Sequence, residues 1–194
     1  MPTRVVIAED EAIIRLDLKE TLEEEGYEVV GETGRGDEAV ALVRELQPEI
    51  AILDIKMPGI DGLTAARQIT ADQLCAVLVL TAFSQRDLIE QARDSGALAY
   101  LVKPFQRSDL VPAIELAVGR FRELRALTEQ TKSLEEQLET RKVVDRAKGI
   151  LMDAHGLTEA DSFAFVQKTA MRDRITMRAV ADAIIDGTMK PENP

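Results

Sequence analysis

The sequence predicts an α/β fold: a doubly wound, five-stranded parallel sheet, followed by a long helix and a small three-helix all-α module. Three observations carry this. Five short runs rich in Val, Ile and Leu alternate with amphipathic helical patterns up to residue 102, and such near-continuous apolar strands mark a sheet covered on both faces. From Ser108 the pattern turns continuously helical, with Gly119 the only Gly or Pro between Pro112 and Gly149. Three shorter helical stripes follow after residue 141.

The strands are expected at Val5 to Ala8, Tyr27 to Val30, Ile50 to Leu53, Val77 to Leu80 and Tyr100 to Val102. Between them lie four stripes: Ile13, Leu16, Leu18 and Leu22; Ala39, Val40, Val43 and Leu46; Leu63, Ala66 and Ile69; Leu88, Ile89 and Ala92. Ser108 or Asp109 caps the long helix, and Pro112 is tolerated in a first turn whose amides lack partners. Leu110, Ile114 and Ala117 face its own domain. After a phase slip, Leu124, Leu127, Thr131, Leu134 and Leu138 repeat as a short heptad seam, which reads as a coiled coil with another helix. In the tail, Val143, Ala147, Ile150 and Ala154 form one stripe, ending at His155 and Gly156. Thr158 to Asp161 has the spacing of a capping box before Phe163, Val166 and Ala170. Thr176 caps a last segment with Val180, Ala183 and Ile184 inward and Gly187 as its stop. The division is a first domain over 1–120, a helical linker over 121–140 and a C-terminal domain over 141–190.

Composition narrows the function. The chain has 194 residues, 45% of them hydrophobic and 4% aromatic, with no Trp. Broad aromatic platforms for single-stranded nucleic acid are therefore not expected. Cys75 is the single cysteine, so no intrachain disulfide forms, and its place before an apolar run makes it a small core residue. No apolar stretch reaches the roughly 18 residues of a membrane span and no signal peptide is visible, so a cytoplasmic protein is expected. The net charge of −11 is uneven, at −9 over 1–107, −3 over 108–140 and +1 over 141–194. The N-terminal part repels polyanions at long range, and the C-terminal part does not.

Polar residues gather where the strands end. Glu9 and Asp10 follow the first strand, Asp54 ends the third, Thr81 the fourth, and Lys103 and Pro104 the fifth. In an open parallel sheet all carboxyl ends share one edge, where ligands bind. Three carboxylates there repel unless compensated. A Mg²⁺ ion solves this, because it takes one or two carboxylates, keeps waters and leaves room for phosphate oxygens. Lys103 and the Thr81 hydroxyl then suit the remaining oxygens of a phosphoryl group, and Asp54 can attack phosphorus to form an acyl phosphate. The loop KMPGIDG lends a backbone carbonyl to the metal. The run GETGRG, residues 31–36, lacks the Lys-Ser/Thr ending of a phosphate loop and fits a loop before the second helix.

The motifs VVIAEDE, AILDIKMPGIDG, VLVLTA and AYLVKPF resemble the receiver domain of two-component response regulators, a flavodoxin-like fold. The resemblance implies that Asp54 is the phosphoacceptor and a sensor histidine kinase the donor. It implies that Asp10, Asp54 and the Lys56 carbonyl hold Mg²⁺, with Glu9, standing where Asp is usual, helping through water. Thr81 and Tyr100 would be the switch pair, and Lys103 would contact the phosphoryl group. Such a protein is not an enzyme but assists its own phosphorylation and dephosphorylation. Lys56 and Phe83 occupy positions at which the family varies its phosphoryl lifetime.

Residues 141–187, above all AKGILM and HGLTEADSFAF, resemble the ANTAR domain, an RNA-binding module of transcription antiterminators. The residues themselves offer Arg141, Lys142, Arg146 and Lys148 on or beside the polar side of one helix. Gly149 offers close approach, and Arg172, Arg174 and Arg178 lie further on. The resemblance implies hairpin loops of nascent RNA as partner, with no membrane and no DNA, and homodimerisation on phosphorylation through the seam. Two other readings stay open on the residues alone: a phosphorylation-dependent protein-docking bundle, and a metal phosphatase built on the same acids.

Overall fold

The structure is a computed structural model that describes residues 2–82 and 94–190. The stripe Leu88, Ile89 and Ala92 and the position Phe83 lie outside those residues. The chain forms two compact units, Met1–Ala126 and Leu127–Pro194.

In the first unit β1 (Arg4–Ala8), β2 (Glu28–Thr33), β3 (Ile50–Asp54), β4 (Ala76–Thr81) and β5 (Ala99–Val102) form one parallel sheet in the order β2-β1-β3-β4-β5. Strand residues alternate between two faces. Val6, Ala8, Ala51, Leu53, Val77 and Val79 pack with α2 (Gly36–Leu46) and α3 (Gly62–Ala71). Val5, Ile7, Ile50, Ile52, Leu78 and Leu80 pack with α1 (Ala12–Glu24) and the start of α4 (Arg107–His155). Helices thus cover both faces, as a doubly wound sheet requires. Cys75 is fully buried, and burial pushes its thiol up to about 12, as befits an inert core residue.

Two helical expectations fail in the first unit. In α1 only Leu18 and Leu22 are buried, while Ile13 is 84% and Leu16 55% exposed. Positions 16 and 18 lie about 200° apart on a helix, so the four apolar residues never formed one face. The long helix begins at Arg107, ahead of both expected caps. Asp109 instead reaches back from the third helical position to accept the Gln106 amide at 3.0 Å. Pro112 therefore sits in the second turn.

Tyr27 links the start of β2 to α4, its hydroxyl donating to Glu115 Oε1 at 3.0 Å. Burial first, and then the Glu115 carboxylate, push the phenol up to about 12. A phenol that ionises later folded than unfolded stabilises the fold fully below pH 10, and this contribution is lost as pH rises toward 12. Alkaline difference spectroscopy against Tyr27→Phe should place this phenolate absorbance step near pH 12; a step near pH 10 would show that the contact is not made.

The second unit contains the C-terminal part of α4, then α5 (Glu159–Asp173) and α6 (Met177–Ile185). Thr158 and Thr176 cap α5 and α6 as expected, accepting the Asp161 and Ala179 amides at 3.2 Å. The buried stripe on α4 is Val144, Ala147 and Leu151 rather than Val143, Ala147, Ile150 and Ala154. On α5 Val166 and Ala170 are buried as expected, but Ser162 takes the interior place expected of Phe163. The Ser162 hydroxyl is buried without a hydrogen-bond partner. A buried unpaired hydroxyl costs about 1–3 kcal/mol, so Ser162→Ala should raise the urea midpoint, by about 1 kcal/mol of stability. A drop would mean the hydroxyl has a partner in solution.

Candidate functional site

Register brings the polar residues together. β1 pairs with β3 so that Ala8 lies beside Leu53, and β3 with β4 so that Asp54 lies beside Leu80. Glu9 and Asp10 therefore emerge next to Asp54, with Thr81 one residue further on. The Lys103 amide donates to the Thr81 carbonyl at 2.7 Å, which brings the end of β5 to the same edge. Asp10, Asp54, Lys56, Thr81 and Lys103 all line one cleft of about 210 Å³.

Glu9, Asp10 and Asp54 each offer a carboxylate oxygen, and these lie within 4.8 Å of one another. Glu9 is fully buried and Asp54 nearly so, whereas Asp10 is exposed. The Lys103 ammonium bridges two of them, pairing with Glu9 Oε2 and lying 2.6 Å from Asp54 Oδ1. The other Asp54 oxygen accepts the Lys56 amide at 2.8 Å. Burial raises the Glu9 carboxyl above its usual range, the Lys103 hydrogen bond opposes this, and the Asp54 charge adds to it. Burial also works against the Lys103 cation, yet its hydrogen bonds to Asp54 and Glu9 outweigh burial and hold it above its usual value.

The loop after Asp54 is gripped from two sides. The Gly62 amide donates to the Ile55 carbonyl at 2.9 Å, and the Gly36 amide to the Pro58 carbonyl at 3.2 Å. A Cβ on Gly62 would stand 1.8 Å from the Asp54 carbonyl oxygen, and one on Gly36 2.1 Å from that of Ile60. Only glycine permits either approach. Sequence reasoning treated Gly36 as part of a loop before the second helix, and nothing local to residues 31–36 reveals that it meets Pro58 and Ile60. Arg15 was also missed; its guanidinium donates to the Glu9 backbone carbonyl and so fixes the end of β1.

The fold is shared with known proteins. Residues 5–115 match the response regulator receiver domain and residues 132–185 the ANTAR domain. The transcriptional regulatory protein PdtaR of Mycobacterium tuberculosis is 55% identical over 193 residues, covering 100% of this chain and 94% of that protein. The chain belongs to the response regulators that join a receiver domain to an ANTAR domain. Its receiver domain is also 39% identical over 115 residues to the chemotaxis protein CheY of Thermotoga maritima, covering 59% of this chain and 96% of CheY. Among solved structures, the signal receiver domain of a modulated diguanylate cyclase from Desulfovibrio desulfuricans aligns with a TM-score of 0.59. It is 29% identical, over 63% of this chain and 98% of that one. A CheX-CheY-BeF3-Mg²⁺ complex from Borrelia burgdorferi aligns at 0.56 and 26% identity, over 59% and 87% of the two chains. No helix among the described residues is long and apolar enough to cross a membrane.

Tyr100 is not among the residues lining the cleft. It lies on β5 opposite Val79 and is 44% exposed, whereas Thr81 is buried.

The basic residues of the ANTAR domain do not form one free patch. Lys148 is largely covered and paired with both Asp145 and Glu159 at 2.9 Å, tying α4 to the first turn of α5. Lys142 pairs with Glu139 at 2.7 Å, Arg172 with Asp173 at 2.8 Å, and Arg141 lies 3.9 Å from Asp145. Arg178 lies 3.9 Å from Asp182. Arg146 and Arg174 carry no ion pair among the described residues, and space beside Gly149 is open. The exposed pairs of Lys142, Arg172, Arg141 and Arg178 are worth little.

Proposed function

We propose that this response regulator is a phosphorylation switch in which Asp54 accepts a phosphoryl group from a sensor histidine kinase and the ANTAR domain binds RNA hairpins to permit antitermination. The observation that carries this reading is the convergence of Glu9, Asp10, Asp54 and Lys103 on one edge of a chain that also holds an ANTAR domain.

The donors fit Mg²⁺. Three carboxylates face one ammonium, an excess of about two negative charges in an all-oxygen site, which is what a hard divalent cation compensates. Asp10, Asp54 and the Lys56 carbonyl would hold it, with Glu9 behind them. The ion would neutralise phosphoryl oxygens that the acids otherwise repel. The similar CheX-CheY complex from Borrelia burgdorferi holds BeF3 and Mg²⁺, which supports this assignment.

The chain's own residues do the rest. The Lys56 amide fixes one Asp54 oxygen and aims the carboxylate into the cleft. An Asp54 oxygen attacks phosphorus, the bond from phosphorus to the donor's imidazole nitrogen breaks, and its electron pair returns to the ring. Lys103 leaves Glu9 to contact the phosphoryl group, Thr81 moves toward it, and Tyr100 turns inward. The change passes to α4, where Leu124, Leu127, Leu134 and Leu138 are each more than half exposed and ready to pair with a second copy.

A filter-binding salt series with and without acetyl phosphate tests this reading. Donor-dependent retention of hairpin RNA that falls steeply with salt is expected. Retention that ignores the phosphodonor, or none at any salt, would favour a protein-docking role for the C-terminal domain.

A further inference from the structure

Where the C-terminal part of α4 meets α5 and α6, a second cleft of about 410 Å³ opens within the ANTAR domain. Its lining is mixed. Val144, Met177 and the Phe163 ring supply apolar surface, and Gln137, Thr140, Arg141, Asp145 and Lys148 supply polar groups. Phe163 is 43% exposed although Val166 and Ala170, its expected partners in the stripe, are buried. An aromatic ring left open to solvent beside a cleft invites a flat occupant.

The polar groups restrict what that occupant is. A phosphate would meet the Asp145 carboxylate as well as Arg141, and Lys148 is already held between Asp145 and Glu159 at 2.9 Å from each. An aliphatic side chain would leave the amide, guanidinium and carboxylate without partners. A planar ring whose edge both donates and accepts satisfies the apolar surface and the polar groups together. The Arg141 contact with Asp145 Oδ2, at 3.9 Å and exposed, breaks at little cost to admit it, while Lys148 keeps the other Asp145 oxygen, Oδ1, at 2.9 Å.

We infer that this cleft takes one unstacked base of the bound RNA, its face on Phe163 and its edge on Asp145, Arg141 and Gln137. This rests on the RNA-binding reading above and adds to it a place for sequence discrimination. Bases splayed from hairpin loops are the ones proteins can stack and read. Sequence reasoning assigned Phe163 to the core and offered no role for Asp145; a base edge, unlike a phosphate, has donors for a carboxylate.

The test uses the full chain with acetyl phosphate and Mg²⁺, and hairpins enriched on it from a pool with randomised loops. Phe163→Ala should weaken the enriched hairpin about five- to 150-fold, the range of one lost base stack, without changing the salt slope. Phe163→Tyr should stay within about twofold of wild type because it keeps the ring. Phe163→Leu, which keeps apolar bulk, should behave like Phe163→Ala, and melting curves for all three separate binding from folding. With 2-aminopurine placed at each loop position in turn, one position should be quenched by wild type and Phe163→Tyr but not by Phe163→Leu. Wild-type affinity in Phe163→Ala would overturn the pocket and leave the RNA reading standing. Failure to enrich any hairpin would remove the RNA reading and the pocket with it. A fall in sedimentation mass of Phe163→Ala without RNA would assign the cleft to a second copy of the chain, and so overturn the proposal as well.

Discussion

Asp54→Asn is expected to abolish every response of RNA binding to a phosphodonor while leaving the chain folded. In the wild type, coupling between two sites typically amounts to about 1–3 kcal/mol, or roughly five- to 150-fold in affinity; in the variant the two conditions should give one curve. The substitution is nearly isosteric, and the amide oxygen can still accept the Lys56 N–H that now meets Asp54 Oδ2 at 2.8 Å. Lys103 keeps Glu9 as a partner. Removing one of three crowded carboxylates also relieves repulsion, so the metal-free melting temperature should equal or exceed that of the wild type. A preserved donor response would place the phosphoacceptor elsewhere.

Lys103→Met should have the opposite signature, with a large loss of stability in the absence of metal. Lys103 bridges Glu9, which is fully buried, and Asp54. Removing one partner of a buried ion pair typically costs about 3–5 kcal/mol, because the other charge is stranded. Two conditions should restore the variant. Mg²⁺ should do so by mass action on the folded state. Acid should do so as well: burial already raises the Glu9 carboxyl, and without the ammonium it rises further. A carboxyl raised in the fold contributes stability that is present below its unfolded value of 4.5 and lost as pH climbs through the folded one. The difference between variant and wild type should therefore shrink as pH falls through Glu9's raised pKa toward that value. Urea titrations at several pH values, with and without Mg²⁺, measure this; a variant as stable as wild type at neutral pH without metal would contradict the buried bridge.

Much of this architecture was legible in the sequence because strands covered on both faces leave a simple trace. Ile50 to Leu53 is apolar throughout since Ile50 and Ile52 meet one helical layer while Ala51 and Leu53 meet the other. The acidic edge was legible for a related reason: parallel strands deliver all their C-terminal residues to one side. Helix faces were harder. Val143 and Val144 are neighbours about 100° apart on α4, both apolar, and only packing against Val166 and Val180 decides that Val144 is the inner one. Phe163 failed because its spacing from Val166 and Ala170 fits an inward stripe, yet Ser162, its neighbour about 100° round the helix, is the buried one. The pairing of Lys148 with Asp145 follows from their spacing of three, but that with Glu159 depends on how α5 folds back. Likewise Gly36 gains its meaning from Ile60, a contact that no local pattern announces.

The most direct trial of the account is peptide mass mapping of the full chain after incubation with acetyl phosphate and Mg²⁺. One phosphoryl adduct on the peptide containing Asp54, absent when Mg²⁺ is chelated and absent from Asp54→Asn, is the predicted result. No adduct, or an adduct on a different residue, would contradict it.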